Sequence, residues 1–563
     1  EESTGVRLAT VSDTGLTYSD GAKYIVLGRK NAIYTSAGFN LDTNILKGRG
    51  FYVKTKGDCL FIVGHKGEGV LNGVYKFLNL ALGYDYFGID QYTIRDMEDK
   101  DLPFLSMDIT EVPDIKFNVT LYGESVNNPV NTKKLGLVSN SETIMSFGGQ
   151  GAGNCHNSFF VCRPEVYQEA HPLWYAPNCE QLCYLTGGNQ TEYQALVNHV
   201  AEEMKKTVAA SHLEAISFTH NDNTLWCNCS TCRAYIAAHN GSNSATQIKF
   251  INDVAAIVAP WYKENFPEKQ LTILIFAYHG TVQSPNAKDS TGKYVAQSDM
   301  VLHENVAIWY APYHQANFYV PFNNSKENTL AYDIIESWKP STSKFYLWFY
   351  TCHFADYTIP VDSMTGMQST FQYLVNECNV EYYMNQGQFT CNTSDWSWLK
   401  LYMQSKLGWD CYYSYEKILD DFFTGVYGPA ADIMREYYDD YKFYFAYIYE
   451  KYDAAGSPEM QGNYSSPEVW NEGILKQWLA YFDRAFAAIE IVKYSDVNLY
   501  NMYKDNLLHE QVSPAINLVH FQPSSMNEVD LAAFKAEILA NCARLGLYGS
   551  TGESGGALAD ILG

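Results

Sequence analysis

The chain is short of positive charge. It carries 39 Lys and Arg against 63 Asp and Glu, a formal net charge of −24 over 563 residues. A surface that neutralises phosphates needs clustered cations, so this balance argues against nucleic acid as a partner. It argues equally against anionic membrane surfaces. No apolar run reaches the roughly 18 residues of a membrane span. The opening residues EESTGVRLAT lack the charged and apolar regions of a secretion signal. The expectation is a cytoplasmic chain, or one whose signal has been removed.

Several motifs are missing too. No Gly-x-Gly-x-x-Gly follows the first strand, which weakens a dinucleotide-binding reading. No Gly-x-Ser-x-Gly nucleophile elbow stands between a strand and a helix. The histidines form neither a pair on one helical face nor a His-Glu-x-x-His. There is no internal repeat.

Aromatic residues, by contrast, are abundant, with 45 Tyr, 29 Phe and 11 Trp. Most of them belong in an ordinary core. Tyr and Trp also join an apolar face to a polar tip, which suits the C–H faces and hydroxyl rims of neutral sugars. Thirteen cysteines is an odd number, so at least one lies outside any intramolecular disulfide.

The pattern along the chain divides it into four parts. Residues 1–110 read as a small α/β unit, with strands at YIVLG and CLFIVGH. A helix follows over Val70, Val74, Phe77, Leu78 and Leu82, with Gly83 at its C-cap. Residues 111–392 alternate apolar strands with amphipathic helices. The strands are FNVTLYG, TIMSFGG, AISFTH, TILIFAYHG, VAIWYAP, KFYLWFYT and VEYYMNQG, and the clearest helices fall at 191–210, 244–264 and 364–378. About eight such units predict a (β/α)₈ TIM barrel, with a doubly wound open sheet as the alternative. Residues 393–548 read as a helical domain, one helix starting at Ser466 and Pro467 with Glu468 in its first turn. Residues 549–563 read as a flexible tail.

A barrel keeps its active site at the C-terminal ends of its strands. Those ends carry Glu124, His156, the run His220-Asn221-Asp222-Asn223, Tyr278 with His279, Tyr310 with His314, and His353 with Asp356. Asp222 is the most suggestive carboxylate, held among amides and a histidine where a strand opens into a loop. Its plainer reading is a turn cap. Glycoside hydrolysis needs two carboxylates, or one carboxylate and a substrate acetamide. Glu124 and Asp356 are partners by position, although structural roles suit both.

Just beyond Asp222 stand Cys227, Cys229 and Cys232. A structural zinc site takes four soft ligands, and the fourth would come from Cys155, Cys183 or His220. A disulfide or free thiols account for three cysteines without a metal, so neither metal nor cofactor is assigned. Cys229 and Cys232 have redox-dithiol spacing without the surrounding fold.

The segment SFTHNDNTLWCNCSTCRA resembles one found in the bacterial domain-of-unknown-function family 4838. CHNSFFVCRPEVYQEAHPLWYA, QLCYLTG, ILIFAYHGTVQSP, FYLWFYTCHFADYTIP and GWDCYYSYEKILDDFFTGVYGPAA resemble further segments of that family in the same order. GEGVLNGVYKFLNLALGYDYF is similar to the small domain before the barrel in α-glucuronidases and family 20 β-hexosaminidases. Part of the family is glycoside hydrolase family 163, endo-β-N-acetylglucosaminidases acting on complex N-glycans. The resemblance implies a secreted or cell-surface bacterial glycosidase. The chain departs from the pattern at Phe349, where an acid is usual, and at Met384-Asn385-Gln386-Gly387.

The combined expectation is a glycoside hydrolase for a β-linked N-acetylglucosaminide, with glycan as partner. Asp222 would be the general acid/base. The second group would be Glu124, Asp356 or an acetamide held by Tyr278. His156, Asn221, Trp309, Tyr310 and His353 would contact sugar. A uronic-acid substrate would need a cationic clamp, for which Arg163 is the nearest residue. A non-catalytic glycan-binding protein is the other alternative. Linkage and oligomeric state are not encoded in these patterns.

Overall fold

The structure, a computed structural model, describes residues 2–19, 21–88, 91–97, 105–177, 180–312, 319–354, 356–392, 395–452, 465–547 and 558–562. His314 lies outside the described residues.

The N-terminal part is a four-stranded mixed sheet in the order Ile25–Leu27, Cys59–Gly64, Phe51–Lys56, Asp108–Glu111. The helix Gly67–Leu82 lies on it and stops at Gly83, whose φ of 66° only glycine adopts at no steric cost. The Gly83 N–H donates to Asn79 O at 2.9 Å and the Tyr84 N–H to Leu78 O at 3.3 Å, which closes the last turn.

The centre of the molecule is a seven-stranded parallel sheet. Its strands are β1 (Phe117–Leu121), β2 (Ile144–Met145), β3 (Ala215–Ser217), β4 (Thr272–Ala277), β5 (Val306–Tyr310), β6 (Phe345–Tyr350) and β7 (Val380–Gln386). Each lies within a stretch that the sequence marks as a strand. Eight units were the expectation, and the described residues hold seven strands. Their order is β1-β7-β6-β5-β4-β3-β2. This is chain order run around a ring, broken between β1 and β2. At that seam Val138 forms a single parallel bridge with Val119.

The sheet is curled. Val119 of β1 and Ile144 of β2, at opposite ends of the strand order, share one buried cluster with Leu274, Phe276, Trp309, Tyr346, Tyr382 and Met384. The alternate residues Ile216, Ile273, Ile275, Ile308, Tyr310, Phe345 and Leu347 face outward into a second core. Helices Gln190–Ala209, Ser244–Asn265, Thr329–Trp338 and Met367–Cys378 contribute to that core. Every residue of β4 and β5 is buried, as in a parallel sheet covered on both faces. A fully buried side chain of this size contributes about 1.5–3 kcal/mol.

The C-terminal part is helical. The expected helix start at Ser466 is corrected: Ser466 forms a turn with Trp470, and the helix Glu472–Ile489 begins after Asn471, whose side chain accepts from the Ile474 N–H at 3.2 Å. Asn at that position satisfies an orphan helix donor, and Trp470 just before it is fully buried, which sets the chain's entry. The expected flexible tail also needs correction in part. Leu558–Leu562 is a short helix whose two leucines are buried with Val512, Ile516 and Ile538. Among the described residues no helix is long and apolar enough to cross a membrane.

Gly387 closes β7 beside the end of β1, with its N–H donating to Leu121 O at 3.1 Å. A Cβ there would overlap the ring of Tyr122. That ring is held, because its hydroxyl lies 2.8 Å from Thr351 Oγ1. Gly387→Ala is therefore expected to cost about 1–3 kcal/mol, as overpacking of a tight core does. The measurement is a lower urea midpoint with an unchanged m-value.

Candidate active site at the strand ends

The residues after β3 form a short, densely bonded loop. Thr219 Oγ1 accepts from the His156 N–H at 2.7 Å, and the Thr219 N–H donates to Asn157 Oδ1 at 3.0 Å. These bonds tie the β2 loop to the β3 loop. The Asn221 N–H donates to Gln181 Oε1 at 3.1 Å, and Gln181 Nε2 donates back to Asn221 O at 2.9 Å. Asn221 spends its side chain on Ser158 and on the Glu180 carbonyl. These bonds fix its amide within the loop.

Asp222 projects from this loop, its side chain 60 % exposed. Its Oδ1 lies 3.4 Å from His279 Nε2 and 4.0 Å from His156 Nε2. The hydrogen bond from His279 holds the carboxyl below its ordinary value; partial burial opposes this, and the nearby His156 and a bond from Tyr278 add to it. Asp222 is thus an anion across the neutral range.

The two flanking histidines have unusual backbones. His156 has φ 51° and His279 φ 47°, in the left-handed region that residues other than glycine rarely enter. Strain of this kind persists where the surroundings over-determine it, and it clusters at functional sites. His156 Nδ1 donates to His220 O at 2.9 Å, and burial lowers its pKa. His220 lies beneath, its Nδ1 donating to Asn221 O at 2.9 Å and its Nε2 3.0 Å from Thr281 Oγ1. Burial brings His220 down to about 4. Both rings are neutral at pH 7, and each spends Nδ1–H on a carbonyl.

An aromatic floor lies below. Phe276 is 5.1 Å from both His156 and Trp309, and Trp309 is 5.4 Å from Trp348, centroid to centroid. Trp348 is partly exposed and donates to Gln386 Oε1 at 2.5 Å. Trp309 is fully buried, so it supports the floor and does not face ligand.

The structure brings Asp222, Asn221, His156, Tyr278 and Trp309 together and leaves Tyr310, Glu124, Asp356 and His353 elsewhere. Tyr310 is corrected: one position along β5 from Trp309, it points to the outer core. Glu124 is corrected as well. The turn Gly123–Val126 folds it under the C-terminal helices, where it is 5 % exposed and accepts from Ser397 Oγ at 3.0 Å. Burial pushes it up to about 7, but it shares that interface with His509 and Glu510, not with Asp222. Asp356 Oδ1 caps its own turn, accepting from the Thr358 N–H at 2.9 Å and hydroxyl at 2.6 Å. His353 is 1 % exposed and accepts from the Asp356 N–H at 3.0 Å. His279, Trp348 and Gln386 lie beside these residues but were given no role. His279 and Gln386 had only position at a strand end as a sequence signal, and Trp348 lay within an apolar strand.

A cleft of about 1190 Å³ lies elsewhere, between the N-terminal sheet and the C-terminal helices around Glu111, Asp114, Lys406 and Trp409. Asp114 precedes β1, so this cleft opens at the N-terminal side of the strand, where a parallel barrel keeps stability rather than chemistry. Cys227, Cys229 and Cys232 are free, and of the candidate fourth ligands Cys155, Cys183 and His220 it is Cys183 that meets the three. Cys183 joins Cys227, Cys229 and Cys232, and all four sulfurs lie within 4.8 Å of one another.

The chain belongs to the family described as a domain of unknown function, DUF4838, which it matches over residues 98–439. No curated protein matches it. Among solved structures, it is similar to a family GH115 4-O-methyl-α-glucuronidase with specificity for decorated arabinogalactans. The TM-score is 0.52 at 9% identity, over 94% of this chain and 71% of that one. A GH138 enzyme targeting pectin rhamnogalacturonan II matches at TM-score 0.36 and 11% identity, over 90% and 68% of the two chains. CpGH84B matches at TM-score 0.37 and 11% identity, over 97% and 96%. The first of these is a likeness of fold, and the other two are too weak to carry an argument.

The buried His220 generates a pH dependence. Its folded value is about 4 against an ordinary 6.5. Between those values the unfolded chain binds the proton and the folded chain does not, so stability is lost as pH falls from 6.5 towards 4. The loss is on the order of 3 kcal/mol. Urea midpoints across this range should fall more steeply for the wild type than for His220→Gln. Equal slopes would remove the assignment.

Proposed function

We propose that this DUF4838 protein is a glycoside hydrolase whose active site is built around Asp222. The observation that carries the reading is one exposed carboxylate held by two histidines in left-handed backbone conformations, above an aromatic floor. That grouping lies where chains of consecutive parallel strands end, the usual place for an active site in barrel enzymes. The likeness of fold to an α-glucuronidase is consistent with it. In this reading the curled sheet is a (β/α)₈-type barrel, with the segment around Val138 closing the seam between β1 and β2.

The depressed pKa of Asp222 changes the role expected of it. A resting anion does not donate a proton. Asp222 is better suited to face the positive charge of an oxocarbenium-like transition state, or to orient a substrate acetamide. The proton for the leaving oxygen then comes from another group, and His279 at 3.4 Å is the imidazole in range. Trp348 supplies an exposed aromatic face for the sugar ring.

The substrate is a neutral glycan, with a β-linked N-acetylglucosaminide as the preferred sugar. The named partners of Asp222 are histidines and a tyrosine. A uronic acid would meet the Asp222 charge without an Arg or Lys among those partners, which ranks it second.

Asp222→Asn is expected to retain the wild-type unfolding midpoint and to lose at least about 10²-fold in kcat on a β-N-acetylglucosaminide. Wild-type turnover by that variant would sink the assignment. Cleavage of a uronide alone, by the wild type and not by the variant, would keep Asp222 and replace the substrate.

A further inference from the structure

We propose that Cys183, Cys227, Cys229 and Cys232 form a structural zinc site that fastens the loop carrying Asp222. The inference rests on the cysteine geometry and does not depend on the glycosidase reading.

The four sulfurs come from two separate segments. Cys183 precedes the turn Thr186–Gly188, and the other three lie at the start of the helix Ser230–Ala238. Cys183 Sγ is 3.8 Å from Cys229 Sγ and 3.7 Å from Cys232 Sγ. A disulfide bond is about 2.05 Å long, so neither pair is joined. Four thiolates around zinc at about 2.3 Å occupy the corners of a tetrahedron with edges of about 3.8 Å. The two observed separations match those edges.

The surroundings suit thiolates more than a packed group of neutral thiols. The Gly187 N–H donates to Cys183 Sγ at 3.3 Å, and the Cys232 N–H to Cys229 Sγ at 3.4 Å. Backbone donors aimed at sulfur stabilise the anionic form. Cys183, Cys227 and Cys232 are buried, and Cys229 is half-buried. A closed set of four sulfur ligands with no open position is the pattern of a structural rather than a catalytic zinc ion. Soft thiolates in a tetrahedron select zinc or iron, and a closed four-sulfur set that fastens two segments is the usual setting of zinc.

The same two segments hold the active loop from the other side. Gln181, two residues before Cys183, bonds the backbone of Asn221 in both directions and donates to Asn223 Oδ1 at 2.8 Å. Asp222 lies between those two asparagines. A metal joining Cys183 to the segment 227–232 closes the base of that loop.

The test is metal analysis of the whole protein, purified without a metal-affinity step. About one zinc per chain is expected, released as a mercurial reagent binds the four cysteine sulfurs in its place. Cobalt substituted for zinc should give the thiolate-to-metal charge-transfer band and the visible bands of a tetrahedral four-sulfur site. Cys183→Ser and Cys232→Ser should each lose most of the zinc. If those variants do not fold, the measurements on the wild type decide the matter. Three results would overturn the proposal: cooperatively folded protein with no stoichiometric metal, iron in place of zinc, or disulfide-linked peptides joining these cysteines in unreduced digests.

Discussion

Alternation along strands buried on both faces is the constraint from which the molecule follows. Each residue of β4 and β5 must serve either the interior of the curl or the layer beneath the helices, and neither side is open to water. Phe276 and Trp309 therefore fill the interior, while Ile275, Ile308 and Tyr310 anchor the helices. The backbone hydrogen bonds are consumed by neighbouring strands, so the polar residues are displaced to the strand ends. The candidate site forms there because that is where the chain is first free to turn.

Electrostatics at those ends depend on burial of different degrees. His220 is fully buried and stays neutral because charging it would cost its solvation. Asp222 stands further out and stays charged, because His279 bonds to it and water still reaches it. The neutral rings of His156 and His220 near a stable anion suit a substrate that becomes positive along its reaction. Glu124 shows the opposite balance, since deep burial raises it to about 7 but also removes it from any ligand.

Much of this was legible in the chain. Seven apolar stretches became seven strands, and the Gly83 cap ended its helix, because both depend on local periodicity and local backbone sterics. Asp222 stood out because a polar run broke an apolar strand. The face of Tyr310 was also open to reading once Trp309 was taken as inward, since neighbours on a strand point opposite ways. Glu124 was harder. Its position after β1 was visible, but the helices that cover it arrive some 270 residues later, from Ser397 onward. The start at Ser466 was misread because Ser-Pro has the composition of a helix start wherever it occurs, while Asn471 was selected by the packing of Trp470.

The sequence by itself determined the strands, the helices, the acidic balance and the three closely spaced cysteines, all of which are properties of near neighbours. Only the tertiary structure decided that Cys183 would be the fourth sulfur, that His156 and His279 would converge on one carboxylate, and that Glu124 would be sealed away. These are meetings between residues tens to hundreds of positions apart. They are set by the curl of the sheet and by what packs on its ends, and no local pattern records them.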